Sequence, residues 1–554
     1  MKSKVARGFA IALLACCSVS VAAAENAAIA SAHPIATQVG LDVLNKGGNA
    51  FDAAVAVAAA LAVVEPFSSG LGGGGFFLLH RSLDKYEVVV DARETAPGAA
   101  NEQTYAGADG KPDGRRALDG AQAAGIPGTP AGLDWIAKKY GRLALKDLLQ
   151  PAIALARDGF PVDSRYIAAA TFREPVMRSD PNTAAIFLDQ GKVPGAGFIV
   201  KQPQLAVVLE AMANSGRAGF YQGDVARRMV AGVVNQGGIW ALADLENYQV
   251  IERAALSFRY RSAKVTCVTL PSSGCLVMAQ ALQILQGFDV ANAPVARRSH
   301  LLMEALRRGY QDRVRYMGDP GFVEVPSAKL ASAEYAQQRA KSIDPARAST
   351  SEALDMAVKE GSNTTHFSIV DAEGNRVAAT LSVNLPFGSG VVAGDTGVLL
   401  NDEMSDFAIS PSAATAYSLT GSAANALAPG KRPLSSMTPT FVEDDEGLLV
   451  IGTPGGSRII SMLLLAVVDF MEARPRDLER VVSLPRFHHQ YLPDRVEYEP
   501  GAFDKDWIEA LKAMGHNVQE GKRRWGNMQA VYVDKRSGTV KAYSDPRGKS
   551  GVLF

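Results

Sequence analysis

Two adjacent threonines and a histidine stand in GSNTTHFSIVD, from Gly361 to Asp371, where a small polar loop gives way to alternating apolar residues. The alternation continues through HFSIVDAEGNRVAATLSVN, whose polar turn from Asp371 to Asn375 predicts a β-hairpin. With that turn as the loop, residue 370 faces 376 and, counting back along both arms, 364 faces 382. Phe367, Ile369, Val377, Ala379, Leu381 and Val383 then share an apolar face. The opposite face carries Thr364, His366, Ser368, Thr380, Ser382 and Asn384. Two readings of that surface stand: hydroxyls that satisfy one another on a polar sheet face, or a site where a hydroxyl acts as nucleophile.

Other chemistry-bearing residue types are less suggestive. FSSGLGGGGFFLLH has no following Lys-Ser/Thr, so its glycines predict a tight backbone approach in the core and not a phosphate cradle. His488 and His489 would point to opposite faces of a strand, and the histidines elsewhere are scattered, so no metal is expected. No cofactor is expected either. Cys267 and Cys275 could pair in an oxidising compartment, but two buried thiols are the expectation, since two cysteines make no disulfide framework.

The elements that must position these residues fall into two stretches. TQVGLDVLNKGGNAFDAAVAVAAALAVVEP predicts a helix stopped at Gly47-Gly48 and a second, buried helix too short to span a membrane. Strands follow in FFLLH and in YEVVVDARETAP, the latter ending near Arg93. From about Gly128 to Asp355 helical patterns dominate. After Thr364 strands are expected in the hairpin and in GLLVIGT, DRVEYE, QAVYVD and VKAYSD, with SRIISMLLLAVVDFMEA as a long helix. Strand pairs with helices outside them imply a layered α+β domain.

The chain has 554 residues, 47% of them hydrophobic, and equal numbers of basic and acidic side chains. It is long enough for a large core, and its neutral balance gives no electrostatic reason to expect nucleic acid or an anionic membrane. Lys2, Lys4 and Arg7, the run FAIALLACC and Ala22-Ala23-Ala24 before Glu25 have the order of a cleaved export signal. Residues 1–24 are therefore expected to leave, with the periplasm the expected destination, secretion into the medium an alternative, and acylation at Cys16 a lipid-anchored one.

NTTHFSIVDAEGN followed by NLPFGSGVVAGDTGVLLNDEMSDF closely resembles the γ-glutamyltransferase family of N-terminal-nucleophile hydrolases. GGNAFDAAVAVAAALAVVEP, GLGGGGFF, DARETAP, GIPGTPAGL, LARDGF, RRGYQDRVRYMGDPGFVEVP, KRPLSSMTPT and GTPGGSR are similar to family segments in family order, over nearly all of the mature chain. The resemblance implies a four-layer αββα sandwich and a precursor cut between Asn363 and Thr364. The products would be a large chain, 25–363, and a small chain, 364–554, that stay together. Thr364 then becomes the nucleophile, with its own α-amino group, of pKa about 7.7–8.0, as base.

By the same resemblance Thr365 supports the site, and Ser382, where relatives often have Thr, bonds the Thr364 hydroxyl. His366 matches no family role and is read as structural. Gly455 and Gly456 would supply oxyanion donors. Arg93, Ser435 and Ser436 would hold a glutamyl α-carboxylate, and Glu403, Asp406 and Asn384, at the other end, its ammonium. Tyr417 would tip a lid over the pocket. Expected partners are glutathione or other γ-glutamyl donors and water, amino acid or peptide acceptors. The rival on the same scaffold is a cephalosporin or glutaryl acylase, which has no use for an ammonium-binding acidic pair; a non-catalytic binding relative is a second rival.

Overall fold

The computed structural model describes residues 26–101, 103–107, 113–351, 364–408 and 423–548. The leader, Asn363 and Tyr417 lie outside them.

Apolar alternation on both faces of the strands and small residues in the helices build four layers. The first six-stranded antiparallel sheet contains β1 (Ala28–Ser31), β2 (Gly74–Arg81), β3 (Tyr86–Ala92), β4 (Ile251–Ala254), β7 (Thr365–Val370) and β8 (Arg376–Ser382), in the order β1-β7-β8-β2-β3-β4. The second comprises β5 (Leu256–Tyr260), β6 (Ala263–Cys267), β9 (Thr440–Glu443), β10 (Gly447–Gly452), β11 (Gln529–Asp534) and β12 (Val540–Ser544), in the order β12-β11-β10-β9-β6-β5. Phe76, Leu78, Phe441, Val450 and Val531 fill the space between the sheets.

On the outer side of the first sheet lie α1 (Pro34–Asn45), α2 (Ala50–Val64), α3 (Thr129–Tyr140), α4 (Leu145–Asp158) and α5 (Ser164–Ser179). Every residue of α2 is buried, which its run of alanines and valines permits by letting neighbours approach closely. Asn49 and Asp52 cap its start reciprocally, as a capping box. The second sheet is covered by α6 (Gly274–Leu285), α7 (Val295–Tyr316) and α8 (Arg458–Glu472). The molecule is thus an αββα sandwich of the α+β class.

The hairpin has the expected register: Val370 pairs with Arg376 and Thr365 with Leu381. Phe367, Ile369, Val377, Ala379 and Leu381 pack under the first helical layer. The hydroxyl-rich face is not a solvated surface; it is buried between the two sheets.

From about Gly128 to Asp355 helices dominate, as expected, but the stretch also contains β4, β5 and β6, with β4 on the edge of one sheet and β5 on the edge of the other. Glu252, Arg253 and Arg259 give these edges a polar pattern, which suits edges but hides strands. Cys267 and Cys275, expected as thiols, form a disulfide with Cα atoms 5.6 Å apart. The end of β6 and the start of α6 are brought within bridging reach by the turn between them.

Candidate active site

Thr364 stands at the head of β7 and is 4% exposed. Its hydroxyl lies 3.3 Å from that of Ser382, at the end of β8. The glycine run before β2 makes this junction possible: a Cβ on Gly73 would stand 2.0 Å from the Ser382 carbonyl oxygen, so the chains touch as only glycine allows. Thr365 Oγ1 donates to Glu65 Oε2 at 2.9 Å, and Glu65 Oε1 pairs with Arg165 Nη1 of α5 at 2.5 Å. Glu65 follows α2 directly, so the first helical layer braces the strand head that bears Thr364.

His366 points between the sheets. Its Nδ1 lies 2.8 Å from Thr380 Oγ1 and its Nε2 3.2 Å from Ser368 Oγ. A Cβ on Gly452 would meet the ring at 2.2 Å, so this glycine makes the room for it. Burial pulls the imidazole down to about 3, leaving it neutral at physiological pH and a weak proton acceptor.

Gly455 and Gly456 form the turn before α8, with φ of 142° and 58°, conformations that favour glycine. Among the described residues neither amide has a hydrogen-bond partner, while their carbonyls accept from Arg458 and Ile459. Gly456 and Thr364 line one small cavity walled almost wholly by buried residues; Gly455 and Thr364 line a larger cleft beside it whose wall includes exposed residues. Thr364 belongs to both.

The enclosed cavity, of 20 Å³, gathers nearly every other residue singled out from the sequence: Arg93, Ser382, Asn384, Glu403, Asp406, Ser435 and Ser436. Glu403 and Asp406 share a single 3₁₀ turn, as their spacing predicts. Arg93, expected apart from this acidic pair, is bound to it. Its Nη1 lies 2.8 Å from Glu403 Oε2 and 3.3 Å from Glu94 Oε2, and its Nη2 lies 2.6 Å from Asp406 Oδ2. Three carboxyl groups share one guanidinium, so they cannot all ionise readily. Burial pushes Glu94 up to about 7 and Glu403 well above the carboxylate range, against the pull of Arg93. Burial alone would lower Arg93, but Glu403, Glu94 and Asp406 outweigh it and hold the guanidinium above its ordinary value. One oxygen each of Glu94 and Glu403 is buried without a partner among the described residues.

Asn384 donates from Nδ2 to the Asp402 carbonyl at 3.0 Å and to Ser405 Oγ at 2.8 Å, at a φ of 74°. Ser435 is fixed from below: its carbonyl accepts from Ser273 N at 2.9 Å and from Ser273 Oγ at 2.7 Å. The cavity also contains Arg313 of α7, which the residue patterns did not single out. A signal was available, since Leu302, Leu306, Gly309 and Arg313 follow helical spacing and place an arginine on a buried stripe. Among the described residues no group of three His, Cys, Asp or Glu side chains is arranged to hold a metal.

The open cleft, of 380 Å³, is lined by Arg165, Phe172, Arg524, Trp525 and Arg547 as well as by Thr364 and Gly455. Thr364 thus stands between a small cavity crowded with charged side chains and a larger cleft with a basic lining.

The sequence model of the family described as Gamma-glutamyltranspeptidase matches residues 36–554. The chain belongs to the gamma-glutamyltranspeptidase family. It is 40% identical to the glutathione hydrolase proenzyme of Escherichia coli strain K12, over 95% of this chain and 91% of that protein. The proenzyme of the same name from Pseudomonas sp. strain A14 is 38% identical over 96% and 94%. Among solved structures, a cephalosporin acylase from Bacillus halodurans superposes with a TM-score of 0.83 at 28% identity, covering 96% of both chains. The gamma-glutamyltranspeptidase of Helicobacter pylori superposes with a TM-score of 0.56 at 35% identity, covering 58% of this chain and 92% of that one. The fold is therefore shared with a protein named as a cephalosporin acylase as well as with one named as a gamma-glutamyltranspeptidase.

Proposed function

We propose that this chain is an exported γ-glutamyltransferase and glutathione hydrolase that cleaves itself between Asn363 and Thr364. The observation that carries the reading is the Thr364 hydroxyl at the meeting of the two cavities, beside two glycines whose amides have no partner among the described residues. The proenzyme relatives support the self-cleavage.

In the precursor Thr364 Oγ1 attacks the Asn363 carbonyl. The peptide nitrogen leaves as a new α-amino group, and water hydrolyses the resulting ester, leaving chains 25–363 and 364–554 in one heterodimer. That amine then takes the hydroxyl proton as Oγ1 attacks the γ-amide carbonyl of the donor. The oxyanion faces the Gly455 and Gly456 amides, and Ser382 and Thr365 hold the strand head in place. The amine product leaves with the proton, and the γ-glutamyl ester on Thr364 is released to water, an amino acid or a peptide.

The donor's ammonium is taken by Glu403 and Asp406 with Asn384. Its α-carboxylate meets Arg93, Ser435 and Ser436. At 20 Å³ the enclosed cavity has room for about one water, so the head group enters only as Arg93 and its carboxyl partners part. Tyr417 closes the site as a lid. Residues 1–24 direct export to the periplasm. No helix among the described residues is long and apolar enough to cross a membrane.

The acid pair decides against the acylase alternative, because a glutaryl group has no ammonium for it to hold. Turnover of γ-glutamyl and glutaryl anilides by the purified protein tests this. A preference of about tenfold or more for the γ-glutamyl anilide is expected from charge-assisted bonds to one ammonium. Equal turnover would reassign the enzyme to acylase chemistry.

A further inference from the structure

We propose that Arg313 is a second cation for the donor's α-carboxylate, aligned by Ser273 in a loop that the Cys267–Cys275 disulfide closes. The proposal rests on the γ-glutamyl reading of the site and adds to it a specificity residue and the device that positions it.

Arg93 receives the α-carboxylate on a fork that is already engaged. Its Nε donates to the Pro433 carbonyl at 3.3 Å, and its Nη groups are held by Glu94, Glu403 and Asp406. A second anion brought to that fork meets three carboxyl groups first. Arg313 presents the opposite case. It is 4% exposed, it lines the same enclosed cavity as Thr364, Ser435 and Ser436, and no carboxylate pairs with it among the described residues. Its only hydrogen bond among those residues runs from Nε to Ser273 Oγ, at 2.9 Å. That bond fixes the plane of the guanidinium and leaves both Nη groups available for a bidentate contact. Burial pulls the group down to about 10, which leaves it ionised at neutral pH. Asp406 attracts it across the cavity without a direct ion pair, and a buried cation short of a close counter-ion is costly unless an anion arrives; the carboxylate of the donor is the anion this cavity receives.

Ser273 serves both walls of the cavity. Besides orienting Arg313 it bonds the Ser435 carbonyl through its amide and its hydroxyl, while Ser272 Oγ donates to the Met437 carbonyl. Both serines sit in the turn between β6 and α6, and Cys267 and Cys275 clip that turn covalently at its two ends, both fully buried. The clip thus holds the serine wall and the second arginine in one register. Ser273 and the disulfide are positioning groups, and Arg313 is the one that touches substrate.

Two anilides read the assignment: the γ-glutamyl anilide, and the 4-aminobutanoyl anilide, which is the same donor without its α-carboxylate. Arg313→Gln is expected to raise KM for the first about tenfold to a hundredfold with kcat within a few-fold, while the second changes by less than about twofold. Arg313→Lys should recover part of the loss, and Ser273→Ala should produce a smaller KM rise with the same substrate dependence. Equal loss on both anilides in a self-cleaved variant, or an unchanged KM, would overturn the proposal. Where Arg313→Gln is not self-cleaved, the Lys and Ala variants decide: a KM rise confined to the γ-glutamyl anilide supports the assignment, and an equal or absent change contradicts it. A wild type that turns over both anilides equally well contradicts the γ-glutamyl reading itself, a result distinct from failure of the Arg313 variants.

Discussion

The two cavities that meet at Thr364 are built on opposite plans. One is enclosed, 20 Å³, and crowded with fixed charges whose partners are themselves buried. The other is open, 380 Å³, and lined by arginines and aromatics, including Phe172, which is 56% exposed. On the proposed reading, a site that accepts one head group and many amines needs this asymmetry. Charges that cost free energy to bury are placed where the ligand is constant, and exposed side chains that adapt are placed where it varies.

Changes at the boundary between the cavities should have the largest effect. A Cβ at Gly455 would stand 2.6 Å from Met462 Cε, on a backbone that already favours glycine, so Gly455→Ala should displace the turn that carries the proposed oxyanion donors. The expected loss is about a hundredfold to a thousandfold in kcat for the self-cleaved enzyme. A loss confined to KM would move the oxyanion site elsewhere.

Within the enclosed cavity, Asp406→Asn should raise KM for a γ-glutamyl anilide about tenfold to a hundredfold, while intact mass still reports two chains. Equal damage to cleavage and to binding would make Asp406 a structural residue. In the open cleft, Arg524→Ala should shift the preference among amino acid and peptide acceptors by only a few-fold and leave hydrolysis of the anilide unchanged, as fits an exposed charge. Comparable loss in hydrolysis would mean the cleft also holds the donor.

His366 gives the smallest expected effect on activity and a defined one on stability. His366→Gln should keep the acid limb of the wild-type pH–rate profile, and disappearance of that limb would make the histidine a base after all. For stability, the folded ring is held at about 3, below the ordinary value of about 6.5 in the unfolded chain. Between those values the unfolded chain binds the extra proton. The stability contributed by the neutral ring is therefore present above pH about 6.5 and lost as pH falls toward 3. His516, also held down to about 3 by burial, acts in the same direction. Urea midpoints measured across that range should fall with acidity, less steeply in His366→Gln.

The hairpin could be read from the sequence to the residue, because period-2 alternation and a five-residue turn leave one register. Glu403 and Asp406 were legible for a similar reason, since three-residue spacing puts both on one side of a turn. Contacts between distant segments were not. Arg93 lies hundreds of residues from its partners in Glu403 and Asp406, and nothing in DARETAP says whether its fork is free or taken. Glu65 reads as the end of an apolar helix, although it ties Thr365 to Arg165. The strands from Ile251 to Tyr260 went unseen because edge positions tolerate charge. The disulfide depends on where a sheet edge meets a helix start, which spacing alone does not fix.

In the proposed mechanism Thr364 both cuts the chain and carries the acyl group. Intact mass spectrometry of the purified wild type and of Thr364→Ala, with a γ-glutamyl anilide assay on the same samples, tests both roles at once. Two chains and anilide release are expected for the wild type, and one uncut, inactive chain for the variant. A variant that still separates at Asn363, or that still releases the anilide, would contradict it.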